Sequence, residues 1–488
     1  MVAEQKDFIV AIELGSSKVV AIAGQKKPDG SISVLAMVKE DASSFIRKGV
    51  VYNIDKTAQC LQSMVKKLEM QLQARILQVF VGVGGQSLRS VRNSVQRDLS
   101  GLSADGSAII TQEMVVELMD ENLSLEYPEQ KILDVAEQEY RVDTQLQMDP
   151  VGIRAAKLEG NFLNILMRKA FFQNLNRCFE LAEIKVAEMY LAPLALANAV
   201  LTEAEKRSGC VLVDIGADTT TVTVFWKNVL RHLAVIPLGS NNITKDIASL
   251  QMEEADAEQM KLKYGCAYTE NNDIDPTLKY SIDPERQIES RRFIQIVEAR
   301  MQEIIENASY QIPSEYSDKL LGGIILTGGG SNMRNIEKAV STYTRIDKVR
   351  VAKFVTTTIN SGNDLLKARN GIFNTVLGLL LKGDINCAGN GISRGGDLFE
   401  DQKEEEVNVP ERPVRKASEV ETGTIRTQQE EDKAAELARQ QREAQERKER
   451  EEEERRLEEE RRLKKENSGW NRFKRSVKKI TTDIFAEE

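Results

Sequence analysis

Two segments of this chain share one design. Residues 7–24 read DFIVAIELGSSKVVAIAG and residues 210–226 read CVLVDIGADTTTVTVFW. In each, an apolar strand enters a short glycine turn and a second apolar strand leaves it. Turns this short make β-hairpins, not strand-to-helix phosphate loops. A hairpin of this kind repeated roughly 200 residues further on predicts a fold of two similar halves.

The rest of the chain fits around these hairpins. Residues 55–72 have helical spacing, with Leu61, Met64, Val65 and Leu68 on one face. LQVFVGVGG (77–85) reads as a buried strand with a glycine-rich end. Residues 86–160 are less regular, with a helical piece near 112–120 and strand-like text near 138–143, and read as an inserted subdomain. Residues 161–184 read as a strand and then a helix. MYLAPLALANAVL (189–201) reads as a helix with Pro193 near its start. Helical text follows at 243–264, a polar loop at 269–289 and a long helix at 290–310. GGIILTGGGSNM (322–333) is a strand running into a glycine loop, and IFNTVLGLLLKG (372–383) a short apolar helix.

Composition excludes several kinds of chemistry. With 488 residues the chain exceeds one ordinary core. A net charge of −9 argues against nucleic acid as a partner. The five cysteines are scattered, which suits neither a zinc knuckle nor a redox pair and reads as reduced, cytoplasmic cysteine. His232 is the one histidine, so a histidine triad or multi-histidine metal site is nearly excluded, and it reads as an ordinary strand residue. No signal peptide and no uninterrupted apolar run long enough to span a bilayer is expected.

Beyond about residue 388 the character changes. Residues 388–427 are poor in apolar side chains and are expected to be a disordered linker. Residues 428–467 are rich in Glu, Arg, Lys, Gln, Ala and Leu. Pairs such as Glu443–Arg447, Glu451–Arg455 and Glu458–Arg462 put the acid four residues before the base. Each is worth roughly 0.2–0.5 kcal/mol on an exposed helix. No apolar seam is sustained, so a single charged helical arm is expected rather than a coiled coil; a disordered charged linker is the alternative.

Residues 468–488 close the chain. Trp470, Phe473, Val477, Ile480 and Ile484 recur at helical spacing, and Phe485 widens the stripe. Arg472, Lys474, Arg475, Lys478 and Lys479 lie on its flanks and back. An aromatic end, an aliphatic stripe and a basic back predict an amphipathic helix lying on an anionic membrane surface. Each basic side chain contributes about 1 kcal/mol there. Docking on the protein's own core or in a partner's groove is the alternative.

Three glycine turns carry the candidate chemistry. The first is Glu13-Leu14-Gly15-Ser16-Ser17-Lys18, the second Asp214-Ile215-Gly216-Ala217-Asp218-Thr219-Thr220, the third Leu326-Thr327-Gly328-Gly329-Gly330-Ser331. Glycine allows the backbone to approach an anion, and neighbouring N–H and hydroxyl groups cradle it. Each turn alone is commonplace. In this order the three describe a cleft between two halves.

The three loops resemble the two phosphate motifs and the adenosine motif of the actin, Hsp70 and sugar-kinase superfamily. VLVDIGADTTTVTVF, RHLAVIPLGSNNITKDIA and the DAEQMKLKYG segment (256–265) further resemble the FtsA family of bacterial cell-division proteins. RILQVFVGVGGQS (75–87) matches the strand after which that family inserts its subdomain, and ILDVAEQEYRVD (132–143) with Pro150-Val151-Gly152 matches more loosely. The resemblance covers about residues 7–385 and the terminal helix.

It implies an α/β, actin-like (ribonuclease-H-like) two-half fold with an FtsA-type insertion. The first half is expected at 1–85, 161–205 and 371–387, with the insertion at 86–160. The core of the second half is expected at 206–242 and 320–370, and its tip at 243–319. The resemblance implies ATP and Mg2+ as ligands. Gly15, Ser16, Ser17, Lys18, Gly216, Ala217, Asp218 and Thr219 would hold phosphates. Glu258, Lys261, Gly328, Gly329 and Gly330 would hold the nucleoside, and Glu13 and Asp214 the metal through water. It also implies self-association into filaments, binding of the C-terminal tail of FtsZ, other division proteins bound through 86–160, and a place on the cytoplasmic face of the inner membrane at the division site.

Three departures matter. Glu13 stands where many superfamily members have Asp, and Ala217 replaces a common glycine. Asp218 puts a carboxylate near the phosphates, either on magnesium waters or repelling phosphate. No Gln, Glu or Asp near 189–201 is suited to activating water, so at most slow hydrolysis is expected. Rival readings on the same fold are a sugar or acetate kinase, a type IV pilus assembly protein, which should end near residue 385, and an Hsp70-like chaperone, which should carry a β-sandwich.

Overall fold

The structure is a computed structural model. It describes residues 7–391 apart from 103–104, 271–273, 276 and 284, then 422–427 and scattered positions from 430 to 477.

Two sheets repeat one plan. In the first, Ile32–Asp41, Lys18–Lys26 and Ile9–Leu14 run antiparallel, and Val79–Val83 and Val186–Leu191 continue parallel. In the second, Val229–Ile236, Thr220–Trp226 and Cys210–Ile215 run antiparallel, and Gly323–Thr327 and Val349–Val351 continue parallel. The inner strands are buried on both faces, which is why they read as continuous apolar runs. This is the two-half fold that the paired hairpins predict, with the actin-like plan that the resemblance implies.

Helices cover the sheets. Ile54–Leu72 starts where the Asn53 side chain accepts a hydrogen bond from Lys56 N–H, and it stops at Gln73 in the left-handed region. It buries Leu61, Met64, Leu68 and Leu72 on the first half. Asn374–Lys382 packs tightly on Ala192–Val200: a Cβ on Gly378 would stand 2.5 Å from Ala195 O. Ser290–Tyr310 buries Phe293, Val297, Met301 and Ile304 on the second half.

The insertion has its own small core of Leu99, Ile110, Leu118, Leu158 and Phe162, under the helix Gln112–Leu123. Its sheet is longer than the sequence suggests. Arg89–Asp98 is a strand that irregular apolar spacing conceals, and Gln130–Val142 spans far more than 138–143. The expected boundary at 160 falls inside one strand, Lys157–Arg168. Leu158 and Phe162 of that strand serve the insertion's core, while Leu163, Ile165 and Met167 serve the core of the first half. The insertion also touches the second half: Ala234 pairs with Arg89, and Leu233 N–H donates to Ser90 Oγ at 2.8 Å. His232 lies in this junction, 3.4 Å from Ser90 Oγ.

Other differences are local. The helix expected to start near Pro193 runs Ala192–Val200, directly after the strand Val186–Leu191. The helical text at 243–264 is two helices, Ser240–Ala248 and Glu254–Tyr264. The polar loop at 269–289 contains the strand pair Lys279–Ser281 and Gln287–Glu289.

Two pieces of the expected disordered linker are ordered. Ala388–Gly391 pairs with Ala74–Ile76, and Thr424–Ile425 pairs with Met189 and Tyr190 at the edge of the first sheet. An open sheet edge offers backbone hydrogen bonds even to a segment with few apolar side chains. Gly423 N–H also donates to Asp134 Oδ2 at 2.7 Å. Residues 392–421 lie outside the described residues. All described positions from 430 to 461 are helical. Among the described residues no helix is long and apolar enough to cross a membrane.

Candidate functional site

The two hairpins are equivalent residue by residue. Leu14 pairs with Val19, and Ile215 with Thr220, leaving four-residue turns at 15–18 and 216–219. Gly15 N–H donates to Lys18 O at 2.9 Å, and Gly216 N–H to Thr219 O at 2.8 Å. A Cβ would stand 3.0 Å from Lys18 O at Gly15 and 2.8 Å from Thr219 O at Gly216. Register therefore sets Glu13 against Asp214, Ser17 against Asp218 and Lys18 against Thr219.

Both turns face one cavity of about 120 Å³. The described residues lining it include Glu13, Gly15, Ser16, Ser17 and Lys18 from one side and Asp214, Gly216, Ala217 and Thr219 from the other. Gly328 and Gly329 border it as well. Gly328 has φ +83°, and a Cβ there would stand 2.3 Å from Asp214 Oδ1. Gly330 instead packs on Ile215, where a Cβ would meet Cγ2 at 2.3 Å, and does not line the cavity.

Electrostatically the cavity is two carboxylates and one ammonium. Burial pushes Glu13 up to about 7; Lys18 opposes this and Asp214 adds to it. Burial also pushes Asp214 up to about 6, again opposed by Lys18. Glu13 Oε2 is buried without a hydrogen-bond partner. An orphaned carboxylate oxygen beside a second carboxylate fits a hard divalent cation such as Mg2+, which commonly takes one or two carboxylates and completes its shell with phosphate and water. No group of three or more acidic, cysteine or histidine side chains suited to a metal occurs among the described residues. The phosphates would therefore have to share in holding the ion.

Glu258 and Lys261 come together but one layer back from the cavity. Their side chains form an ion pair at 2.6 Å. Lys261 Nζ donates to Thr244 Oγ1 at 2.8 Å and to Ser240 O at 3.2 Å, while Ser240 N–H donates to Gly216 O at 3.0 Å. The pair is thus tied to the second glycine turn through Ser240. Burial lowers the Lys261 pKa, and Glu258 opposes that shift.

Sequence reading misses a further part of the site. Ile46–Arg47 and Val50–Val51 form a tiny hairpin whose two-residue turn is Lys48-Gly49, with φ of +50° and +72°. Positive φ at both turn residues is what a type I′ turn requires. Gly49 N–H donates to Ser16 Oγ at 2.8 Å, and Lys48 N–H donates to Asp218 Oδ2 at 3.2 Å. Gly49 also presses on Gly85, where a Cβ would lie 2.3 Å from Gly49 O. The glycine-rich end of VGVGG was the available signal for Gly85; nothing local marks Lys48.

Where a water-activating side chain would be sought, Ala192, Pro193 and Leu196 line the cavity. Of the tail, only Phe473 and Val477 are described; both are helical, with 61% and 43% exposure. Trp470, Arg472, Lys474, Arg475, Lys478, Lys479, Ile480, Ile484 and Phe485 lie outside the described residues.

Known proteins are similar to this chain. A family model described as cell division protein FtsA matches residues 211–378, and one described as an SHS2 domain inserted in FtsA matches residues 85–166. The cell division protein FtsA of Pseudomonas aeruginosa is 31% identical over 383 residues, covering 77% of this chain and 89% of that protein. That of Neisseria meningitidis serogroup B is 32% identical over 341 residues, covering 68% and 81%. A solved PilM–PilN type IV pilus biogenesis complex superposes with a TM-score of 0.52 at 15% identity, over 79% of this chain and 99% of that chain. The last likeness concerns the fold alone. The extent of the FtsA matches, with the insertion at its expected place, shows that the chain belongs to the FtsA family of cell-division proteins.

Proposed function

We propose that the cleft binds ATP with Mg2+ and that the nucleotide serves mainly as a structural and assembly switch. The observation that carries this reading is the pair of backbone-equivalent glycine turns facing one cavity, with Lys18 as the cation and Glu13 and Asp214 as the oxygen donors. Phosphates would lie against the turns at 15–18 and 216–219, and Mg2+ between the phosphates and the two carboxylates. Hydrolysis is expected to be slow, because the cavity wall at Ala192, Pro193 and Leu196 offers no side chain to orient water.

Family membership supports the wider role. The chain would assemble into actin-like filaments, hold the C-terminal tail of FtsZ through its second half at 243–319, and engage other division proteins through 86–160. Residues 468–488 would rest on anionic lipid at the cytoplasmic face of the inner membrane. Filament formation multiplies many weak tethers into one firm attachment.

The cleft is tested by ATP titration of the full chain and of Lys18→Ala, with Mg2+ present. Unchanged affinity in the variant would sink the assignment. The tail is tested by co-sedimentation with anionic vesicles of the full chain and of a chain ending at Asn467. Equal binding of the two would remove the membrane role.

A further inference from the structure

Asp218 occupies an unusual place. In register it corresponds to Ser17, yet it does not line the cavity. Its Oδ1 accepts from Asn241 Nδ2 at 2.8 Å, and its Oδ2 accepts from Lys48 N–H at 3.2 Å. Asn241 is itself held at the second turn, because its N–H donates to Ala217 O at 2.7 Å. The carboxylate is therefore fixed from one half and capped by a main-chain donor of the other.

That donor is one of two in succession. The Lys48-Gly49 turn directs consecutive N–H groups at the mouth of the cleft, and Ser16 Oγ takes the second at 2.8 Å. The two N–H groups go to different acceptors, the Asp218 carboxylate and the Ser16 hydroxyl. A main-chain N–H that holds a carboxylate oxygen can equally hold a phosphate oxygen. The cavity behind it, about 120 Å³, is well below the roughly 300–1,000 Å³ of ordinary ligand pockets. A ligand that lengthens toward Lys48 meets the Asp218 carboxylate.

We propose that Asp218 sets the phosphate-number preference of the cleft. Its carboxylate holds the place on the Lys48 N–H that the terminal group of a nucleoside triphosphate would take. A diphosphate enters without disturbing it. A triphosphate has to displace it, against like-charge repulsion. The inference rests on reading the cleft as a nucleotide site.

Calorimetric titration of the full chain with Mg-ADP and Mg-ATP, in wild type, Asp218→Asn and Asp218→Ala, tests it. The Asn variant keeps an acceptor for Lys48 N–H and removes the charge; the Ala variant removes both. Both variants are expected to tighten ATP by about tenfold and to change ADP by less than about twofold, with Ala at least equal to Asn. Weaker ATP binding in both variants would assign Asp218 to the metal or phosphate as a ligand and overturn the proposal. An unchanged ATP-to-ADP ratio would overturn it while leaving the nucleotide site intact. No binding of either nucleotide by any of the three proteins would remove the nucleotide site and the proposal together.

Discussion

The two glycine hairpins have the same backbone and opposite chemistry. Each closes a four-residue turn through a glycine N–H, each begins behind a half-buried carboxylate, and each sits beside a parallel strand that runs into glycine. At equivalent places the first carries Ser17 and Lys18, the second Asp218 and Thr219. The first turn brings a cation to the cavity, and the second an anion to its rim. Backbone geometry can be duplicated by repeating strand, turn and strand; charge is assigned separately to each copy. The pair is therefore polarised in charge although its backbone is duplicated.

The largest expected effect tests the shared backbone. Gly85 and Gly328 both have positive φ, +92° and +83°, and a Cβ on either would lie 2.3 Å from a polar atom of the site. Gly85→Val and Gly328→Val are each expected to cost about 2–4 kcal/mol in urea unfolding. Loss in only one of them would break the equivalence of the halves.

Next comes the charge. Lys18→Ala is expected to weaken Mg-ATP binding by about 10–100-fold, because it removes the cavity's cation, while the equivalent Thr219→Ala changes it by less than about threefold. Titration of both variants decides, and equal losses would erase the polarity.

The buried carboxylates predict a pH dependence. Raised values in the folded protein mean that these groups favour the fold while protonated. Their contribution is complete at low pH and is lost as pH rises, between about 4.5 and 7 for Glu13 and between about 3.8 and 6 for Asp214. Glu13→Gln should therefore stabilise the nucleotide-free protein above pH 7 by roughly 1–3 kcal/mol and flatten the upper window; Asp214→Asn should flatten the lower one. Thermal unfolding between pH 4.5 and 8 reads both. A wild-type melting temperature that rises steadily across this range would contradict the arrangement.

The smallest effect is at the turns themselves. Gly15→Ala and Gly216→Ala place a Cβ at 3.0 and 2.8 Å from the turn carbonyl. Each is expected to cost about 0.5–1 kcal/mol, with Gly216→Ala the larger; chemical denaturation of the two variants ranks them.

Much of this site was visible in the chain as text. The hairpins announce themselves through continuous apolar runs on both sides of a glycine, and the third loop through LTGGGS. The insertion's strand Arg89–Asp98 was hidden because Val91 and Val95 are its only apolar residues among charged and polar ones, too few to show a strand period. Glu258 and Lys261 stand three residues apart on one helix and meet as an ion pair, yet their place one layer behind the cavity depends on Ser240 and Thr244.

By itself the sequence determined the doubled hairpins, their glycine turns and the helices around them, because strand and helix periodicities are local and survive in a string. It also carried the apolar and basic pattern of residues 468–488. Only the tertiary structure decided what stands at the mouth of the cleft. Lys48 and Asp218 are separated by 170 residues, and no period relates them. Folding the first half brings the Lys48-Gly49 turn to the rim, and folding the second fixes Asp218 through Asn241. The raised pKa values of Glu13 and Asp214 have the same origin, since burial is conferred by all the elements that close over a side chain and not by its neighbours in sequence.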